Sequence, residues 1–385
     1  MRYSDIKLVE SKVHNVQLNE GARIDHAEDI VFWEGSRGAI RALESLKSLE
    51  QGKHTDVTLK WDGSPAIMFG RDESGEFVLT DKSGFGAKGY DGKSKSGDDL
   101  EQMFLNRSGG KNRENPGYVE FAGNMKSIFD LYERATPKDF RGYLKGDLLY
   151  YNTPQVRNKN YVFKPNIVEY AVDVDSDLGK RIGLSKTAVV VHRLVDEAGA
   201  ETAVPQGIDF QGTDVLIVPS VTVQKAAAIE DEDINQLKAT VAKNAASIDQ
   251  LLDNASLVAL KISDFAKVLY AYTNSKVDTG LDNLGADFFD WMAGSKLSAN
   301  KQKNISTHIQ NNQAGFDAVW QVVSGIMQIK DKIIDQFDAH DAPVKSNIPG
   351  HSETGGEGYV LAHPEGDVKL VPRQTFTRAN RAVQR

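Results

Sequence analysis

The stretch "VTLKWDGSPAIMFG", residues 57–70, places one lysine between two apolar runs of β-type residues. Such runs are buried in a folded protein, and a buried ammonium needs a partner. A partly desolvated lysine is also a candidate nucleophile, because desolvation favours its neutral amine. In a continuing strand Asp62 shares a face with Lys60, and Gly63 permits a sharp turn or a close approach to a ligand. The alternative is an edge-strand lysine that reaches water, followed by an Asp-Gly hairpin turn.

The composition indicates a soluble globular protein. The 385 residues are enough for two domains, or for one large domain with an insertion. No apolar run approaches the ~20 residues of a membrane span, and "MRYSDIKLVES" lacks the apolar core of a signal peptide. The absence of cysteine excludes disulfides and thiol nucleophiles. The net charge of −8 argues against a protein that coats nucleic acid, but not against a local basic groove. We expect a cytoplasmic protein with no membrane contact.

The hydrophobic pattern changes twice along the chain. Residues 1–220 alternate short β-type runs with turns, whereas residues 225–341 carry apolar residues at three- and four-residue spacing. β-type runs return in "GYVLAH" and "DVKLVPR". The order predicts an α+β fold, with one domain built from residues 1–220 and 343–385 and a helical insertion domain of residues 225–341. The insertion is acidic, so we expect it to bind phosphate groups poorly. Its apolar stripes are expected to form its own core, and its surface is a candidate site for a protein partner.

An ordered series of short motifs contains Lys60. The motifs in chain order are "KWDG" (60–63), "TDKSG" (80–84), "YLKGDLLYY" (143–151), "IVEYAV" (167–172), "EGYVLA" (357–362) and "DVKLV" (367–371). The series resembles motifs of the covalent nucleotidyltransferase superfamily, which comprises ATP-dependent DNA ligases, RNA ligases and mRNA-capping enzymes. The spellings "KWDGS" and "EGYV" are most similar to phage RNA ligases, and the layout also resembles a group of ligase-like phage proteins.

The resemblance implies a ligase-type nucleotidyltransferase: ATP-grasp-like antiparallel sheets with flanking helices, here with a large all-α insertion. Only 16 residues follow Lys369, so no C-terminal OB domain is expected. The implied cofactors are ATP and Mg²⁺ or Mn²⁺. The implied activity forms a lysyl-AMP intermediate and seals 5′-phosphate and 3′-hydroxyl ends of nucleic acid, either RNA or a nicked duplex. For a phage-encoded chain the expected location is the host cytoplasm.

The resemblance also implies roles for single residues. Attack on an α-phosphate builds negative charge, so the site needs cations and a divalent metal. Lys60 is the expected nucleophile, with Asp62 and Lys369 as further catalytic residues. Glu357 and Asp147 are the expected metal ligands, and Asp147 serves the ribose or the metal. The residues expected to contact the nucleotide are Leu59, Gly63, Lys82, Asp147, Tyr170 (stacked on the base), Glu357, Lys369 and Arg373.

Several positions depart from the family pattern. Pro65 stands where DNA ligases usually have arginine, and Val371 replaces the second lysine of the last motif, which leaves Arg373 as a substitute. Asp147 is one methylene shorter than the usual glutamate and precedes Glu357 by 210 residues. Three functions therefore stay open: a ligase that favours RNA, a DNA nick ligase, and a non-catalytic binding or scaffold protein that retains the fold.

Two basic stretches are candidates for a nucleic-acid path. Residues 82–113 contain seven basic and four acidic residues, and residues 369–385 contain five basic residues and no acid. The alternative for the second stretch is a solvated chain end. His26 and His192 have no partners at metal-ligand spacing, so we expect both to be structural.

Overall fold

The computed structural model describes residues 25–51, 57–86, 92–204, 212–219, 221–223, 226–339, 344–350, 356–363 and 365–383. These residues form a mixed α+β structure with several sheets, as the sequence predicts. None of their helices is both long and apolar enough to cross a membrane. Contacts divide the chain into two compact units.

The strands are mostly short, and their positions follow the β-type runs of the sequence. Their bounds are β1 Asp25–His26, β2 Val57–Leu59, β3 Ala66–Arg71, β4 Phe77–Asp81, β5 Gly142–Tyr150, β6 Gln155–Arg157, β7 Asn160–Phe163, β8 Glu169–Asp173, β9 Thr187–Val195, β10 Glu201–Ala203, β11 Val215–Ile217, β12 Val344–Asn347, β13 Tyr359–Leu361 and β14 Val368–Leu370.

The helices lie mainly in the second half of the chain. Their bounds are α1 Ile30–Ser48, α2 Lys82–Gly86, α3 Gly97–Asn106, α4 Pro116–Ala135, α5 Asp177–Leu184, α6 Asp231–Leu251, α7 Asn254–Ala259, α8 Phe265–Ser275, α9 Phe288–Ala293, α10 Ala299–Asn311, α11 Gln313–Asp338 and α12 Arg373–Val383.

The first unit, which we call the sheet unit, contains the described residues of Trp61–Pro219 and Ala342–Asn347. Its larger sheet has the order β10-β9-β5-β3-β4, with β11 added parallel to β9. Helices α3 and α4 cover one face of this sheet through a shared apolar core. The opposite face carries Lys145 and Asp147, because side chains alternate along β5. The smaller sheet has the order β12-β8-β7-β6.

The second unit, which we call the helical unit, contains the described residues of Arg23–Lys60, Ser220–Asp341 and Ile348–Arg385. Its sheet has the order β1-β14-β13-β2, with β1 parallel to β14 and the other pairs antiparallel. Sheet residues such as Val57, Leu361 and Val368 are buried in one core with α1, α6 and α11. Three-residue strands bury little surface by themselves, so the helices supply the cover that this sheet needs.

This division differs from the predicted domain boundaries. The helices of residues 225–341 share their core with α1 and with the sheet strands β2, β13 and β14 rather than forming a core of their own. The apolar stripes of these helices, which predicted an independent insertion, instead pack against that sheet. The predicted return of "GYVLAH" and "DVKLVP" to the sheet of Lys60 is confirmed, because β13 pairs with both β2 and β14.

Candidate functional site

Lys60 lies at the end of β2, on the polar face of the sheet in the helical unit. Val57 is fully buried and Leu59 packs against the helices, so alternation places Thr58 and Lys60 on the opposite face. The backbone N–H of Lys60 donates to the carbonyl of Gly358 at 2.9 Å, which extends the β2–β13 pairing by one residue. Leu59 is therefore a core residue here and not the nucleotide contact that the resemblance implies.

The ammonium of Lys60 is paired with Glu357. Its Nζ donates to Oε1 of the glutamate, and the two side chains are 23% and 11% exposed. Gly358 fixes the turn that brings Glu357 there: its φ is +117°, and a Cβ would lie 2.2 Å from the carbonyl oxygen of Leu370. The partner that a half-buried lysine requires is thus supplied from 297 residues away.

Lys369 joins the same face of the sheet from β14. It lies between the fully buried Val368 and Leu370, whose side chains face the helices, so its own side chain is on the other side. Lys369 pairs with Val360, which pairs with Thr58. Standard strand and residue spacings place the Cα atoms of Lys60 and Lys369 about 12 Å apart. The sheet therefore gathers Lys60, Glu357 and Lys369, three residues that the motif order predicts to act together.

His26 is next to Lys369 in the parallel β1–β14 pair. Burial, and then the charge of Arg373, hold the pKa of His26 well below its usual range, so the imidazole is neutral. Its Nδ1 is buried without a hydrogen-bond partner among the described residues. The structural role expected for His26 fits this position in the sheet.

Asp62 lies in the sheet unit and is held by three donors. Its carboxylate accepts from the side chain of Asn166 and from the backbone N–H groups of Ile167 and Val168, at 2.9–3.1 Å. The residue is only 6% exposed. Its hydrogen bonds anchor the turn after Trp61 to the segment before β8. The carboxylate thus has a structural role, and the catalytic role expected for Asp62 stays a prediction.

Tyr170 is fully buried and is not a platform for a base. Its hydroxyl accepts a hydrogen bond from the backbone N–H of Asp62 at 2.6 Å. Trp61 covers the ring at a centroid distance of 4.7 Å, and Phe163 packs beside it at 5.6 Å. The expected stacking on a nucleotide base is incompatible with this burial, because no face of the ring is open.

Gly63 and Asp147 are neighbours in the sheet unit. A Cβ at Gly63 would lie 2.6 Å from Cβ of Asp147, so only glycine permits this approach to β5. The backbone N–H of Ser64 donates to the carbonyl of Leu148 at 2.9 Å and secures the approach. Gly63 thus has the close backbone contact predicted for it, with a strand as the neighbour.

Asp147 has a partner that the sequence did not indicate. Nε2 of His192 lies 2.9 Å from Oδ2 of Asp147, and the two side chains are 42% and 28% exposed. The residues are 45 positions apart, and their contact depends on the pairing of β5 with β9. The expectation that His192 is merely structural rested on sequence spacing, which does not show cross-strand neighbours.

Lys82 begins α2 and is exposed. Other cations of residues 82–113 are already paired within the sheet unit. Arg107 donates to both carboxylate oxygens of Asp81, and Lys93 and Lys95 also contact acidic side chains. Three of the six cations that the structure describes in this stretch are therefore paired with acidic side chains, and Arg113 donates to the neutral Gln102 and Asn106. Lys88 lies outside the described residues.

Arg373 is a buried ion-pair residue of the helical unit and does not replace the missing lysine at position 371. It is 1% exposed, and its guanidinium donates to Glu28 at 3.0 Å, to Asp29, and to Asn274 at 3.1 Å. Lys330 completes this cluster by donating to both carboxylate oxygens of Glu28. A nucleotide has no access to a side chain at this depth.

The other C-terminal arginines bind the end of α8. Arg378 donates to the carbonyls of Val277 and Asp278, and Arg381 donates to the carboxylate of Asp278 and the carbonyl of Asn274. Carbonyls at a helix C-terminus attract cations, because the helix dipole is negative there. The basic stretch predicted to guide nucleic acid is an anchor for α12; Arg385 lies outside the described residues.

The two expected metal ligands, Glu357 and Asp147, belong to different units. No group of three or more histidine and acidic side chains that could hold a metal occurs among the described residues. Mg²⁺ is commonly bound by one or two carboxylates together with substrate phosphates. The carboxylate of Glu357 is 11% exposed and already accepts from Lys60, and Asp147 lies within hydrogen-bond distance of His192.

A family model described as "Family of unknown function (DUF6267)" matches residues 21–94 and 117–385. No curated protein matches the chain, and no solved structure matches it. The family model covers well over half of the 385 residues. The chain with Lys60, Glu357 and Lys369 on one face of a sheet therefore belongs to the DUF6267 family of unknown function.

Proposed function

We propose that this protein is an ATP-dependent polynucleotide-ligase-like nucleotidyltransferase. The observation that carries the proposal is the convergence of Lys60, Glu357 and Lys369 on one sheet face. Each comes from a motif in the order that the superfamily has. An amine, a carboxylate and a second cation are the groups that nucleotide attack by a lysine requires.

The proposed reaction begins with the neutral amine of Lys60. Its nitrogen attacks the α-phosphorus of ATP, a P–N bond forms, and the bond to the β-phosphate oxygen breaks as pyrophosphate leaves. An oxygen of a nucleic-acid 5′-phosphate then displaces the lysine and takes the AMP. A 3′-hydroxyl finally displaces AMP and closes the phosphodiester bond. Mg²⁺ or Mn²⁺ held by Glu357 would neutralise charge on the phosphates.

The ion pair between Lys60 and Glu357 supports this reaction and also sets a condition for it. An ammonium bound to a carboxylate is not a nucleophile, so Glu357 must change partner and Lys60 must lose a proton before attack. Lys369 would attract the α-phosphate. RNA is the favoured substrate because "KWDGS" is similar in spelling to phage RNA ligases; a DNA nick ligase is the alternative.

A second candidate is a non-catalytic binding or scaffold protein. The burial of Arg373 favours it, because the second motif cation is then absent from the phosphate position. The closed Lys60–Glu357 pair is also what a structural ion pair requires. In this case the protein would retain the fold without transferring a nucleotide.

Labelling of the protein separates the two candidates. The protein is incubated with ATP or GTP labelled at the α-phosphate, with Mg²⁺ or Mn²⁺, and the protein-bound label is measured. We expect a label that Lys60→Ala abolishes and that Lys332→Ala, a change at an exposed lysine, leaves intact. Equal labelling of wild type and Lys60→Ala would refute the assignment of Lys60, and no labelling of the wild type would favour the scaffold.

The acceptor is then tested with three substrates under the same conditions. These are single-stranded 5′-phosphorylated RNA, a nicked RNA duplex and a nicked DNA duplex. We expect the RNA substrates to be sealed more efficiently. Efficient sealing of the DNA nick alone would contradict the choice of RNA and support the DNA-ligase alternative.

A further inference from the structure

A groove in the helical unit lies between the start of α6 and the C-terminal half of α11. It has a volume of about 460 Å³ and is lined by residues of this unit alone. Its floor is aliphatic: Ile329 and Ile333 are 4% and 1% exposed, and the part-exposed Ile229 packs against the same core. The side-chain amide of Gln336 accepts from the backbone N–H of Ala228 at 2.7 Å and donates to its carbonyl at 2.9 Å. The two sides of the groove are therefore held together by hydrogen bonds.

The rim of the groove is acidic. Glu230, Asp233 and Asp335 line it. Among the described residues that line the groove, Lys332 is the only basic one, and it pairs with Asp233 at 2.9 Å. The carboxylates of Glu230 and Asp335 form no ion pair with any residue that the structure describes. Two uncompensated negative charges therefore lie beside an aliphatic floor.

Asp335 lies at an unfavourable position for the isolated protein. It is in the last turn of α11, where the helix dipole destabilises a carboxylate, and that turn contains no basic residue. Asp331 and Asp338 lie one turn away on the same helix, and like charges at this spacing repel each other. Burial raises the pKa of Asp338, and the charge of Asp335 raises it further. A cation supplied from outside the chain would relieve this repulsion.

The acids of α6 differ from Asp335 in this respect. Asp231, Glu232 and Asp233 are in the first turn of α6, where the helix dipole stabilises carboxylates. Their presence is explained by the stability of the helix. A ligand is therefore indicated by Asp335 and the apolar floor, and not by the acidity of α6.

The chemistry of the groove favours a basic polypeptide over other ligands. A nucleic-acid strand would be repelled by the carboxylates at the rim. The described residues contain no group of three or more acidic or histidine side chains that could hold a metal ion, and the aliphatic floor adds no metal ligand. A polypeptide segment can supply an aliphatic side chain for the floor and cations for the rim. Its charge would also be opposite to the net charge of −8 on the protein, which favours association.

We propose that the groove docks a basic segment of a partner protein, with an aliphatic side chain on the isoleucine floor and lysine or arginine side chains paired with Glu230 and Asp335. An amphipathic helix is a common occupant of such grooves, through anchors three or four residues apart. Docking requires neither a nucleotide nor Lys60, so it goes beyond the proposed function and is independent of it.

The test uses a fluorescent peptide of leucine and lysine, about 14 residues long and patterned as an amphipathic helix. Its anisotropy is measured with the full-length protein and no nucleotide. We expect saturable binding that is about tenfold weaker in the double variant Glu230→Gln with Asp335→Asn, the effect of two exposed ion pairs. The matched control is Asp282→Asn with Asp317→Asn. It removes the same charge from exposed acids outside the groove and should bind as the wild type.

A second peptide separates docking from simple charge attraction. It has glutamine in place of each leucine, so it keeps the charge but has no aliphatic anchor, and it should bind about tenfold more weakly. Equal affinity of the two peptides, or of the wild type and the Glu230→Gln, Asp335→Asn variant, would overturn the docking site. So would the absence of saturable binding to the wild type.

Spermidine tests the choice of a protein segment. Displacement of the leucine–lysine peptide by an equal concentration of spermidine would overturn that choice, because a small polyamine would then suffice. If the double variant does not fold, Ile229→Lys replaces it: this change puts a cation at a part-exposed position of the groove and should abolish binding. Unchanged binding by a folded Ile229→Lys protein would again overturn the docking site.

Discussion

Replacement of Lys330 by methionine tests whether the buried ion cluster stabilises the helical unit. Lys330 is fully buried, and its Nζ donates to the two carboxylate oxygens of Glu28 at 2.9 and 3.0 Å. Glu28 is equally buried and also accepts from Nε of Arg373 at 3.0 Å. Methionine has a similar shape but no charge. In the variant, the buried carboxylate of Glu28 therefore keeps only Arg373 of its two cationic partners described above.

The expected cost follows from that geometry. Removal of one partner of a buried ion pair costs about 3–5 kcal/mol, and the retained Arg373 puts this case near the lower end, about 3 kcal/mol. With a urea dependence of about 2 kcal/mol per M, the unfolding midpoint falls by about 1.5 M. Lys332→Met is the matched control two residues along α11. The side chain of Lys332 is 64% exposed and pairs with Asp233, so we expect the free energy of unfolding to fall by less than about 1 kcal/mol.

Urea unfolding monitored by tryptophan fluorescence measures the difference. Three of the four tryptophans, Trp33, Trp291 and Trp320, belong to the helical unit, so the signal reports mainly on it. The double variant Glu28→Gln with Lys330→Met should recover part of the loss, because the uncompensated charge is gone. Equal midpoints for Lys330→Met and Lys332→Met would refute the reasoning.

Three further outcomes are expected. Gly358→Ala should cost about 2 kcal/mol in urea unfolding and lower the protein-bound label, because its φ of +117° and the 2.2 Å approach to the carbonyl of Leu370 exclude a Cβ; unchanged stability would contradict this. Burial raises the pKa of Glu28, but nearby Lys330 and then Arg373 outweigh this effect and lower the pKa to about 2. The ionised carboxylate of Glu28 therefore stabilises the fold above pH 4.5, and this contribution is lost as the pH falls to about 2. Glu28→Gln should flatten the unfolding free energy between pH 4.5 and 2, and a parallel wild-type curve would count against the pairing. Arg381→Ala should lower stability by about 1 kcal/mol and leave the salt dependence of nucleic-acid binding unchanged; a reduced salt slope in a titration would restore the nucleic-acid role.

The sequence predicted those features that depend on local pattern or on motif order. Runs with a period of two located β3, β5 and β9, and the motif order predicted that β13 and β14 join the sheet of Lys60. The helix α3 was missed because the glycines and cations of residues 82–113 indicated a path for nucleic acid, and α4, which begins beyond that stretch, was not predicted either. Local signals were present: Ser96 caps α3 by accepting from Asp99, and Asn115 caps α4 by accepting from Tyr118.

The sequence around Arg373 does not indicate that this side chain is buried. Its partner Glu28 is 345 positions away, and Lys330 comes from a third segment. A cation three residues after an apolar strand is exposed in most proteins, and only the assembled α1, α11 and α12 make burial favourable here. The Asp147–His192 contact is of the same kind, since it depends on strand register and on a bulge in the β5–β9 pairing.

The residues of the K-x-D-G stretch differ in what they reveal about function. Asp62 and Gly63 are accounted for by local structure, through three hydrogen bonds and a close approach to β5, and a scaffold needs them as much as an enzyme. Loss of label in an Asp62 variant would therefore not identify a catalytic residue. Lys60→Arg is different, because arginine keeps a positive charge beside Glu357 but stays protonated and cannot attack phosphorus. If the protein is a scaffold, Lys60→Arg should leave its fold intact. If it is a nucleotidyltransferase, Lys60→Arg should abolish the protein-bound label entirely.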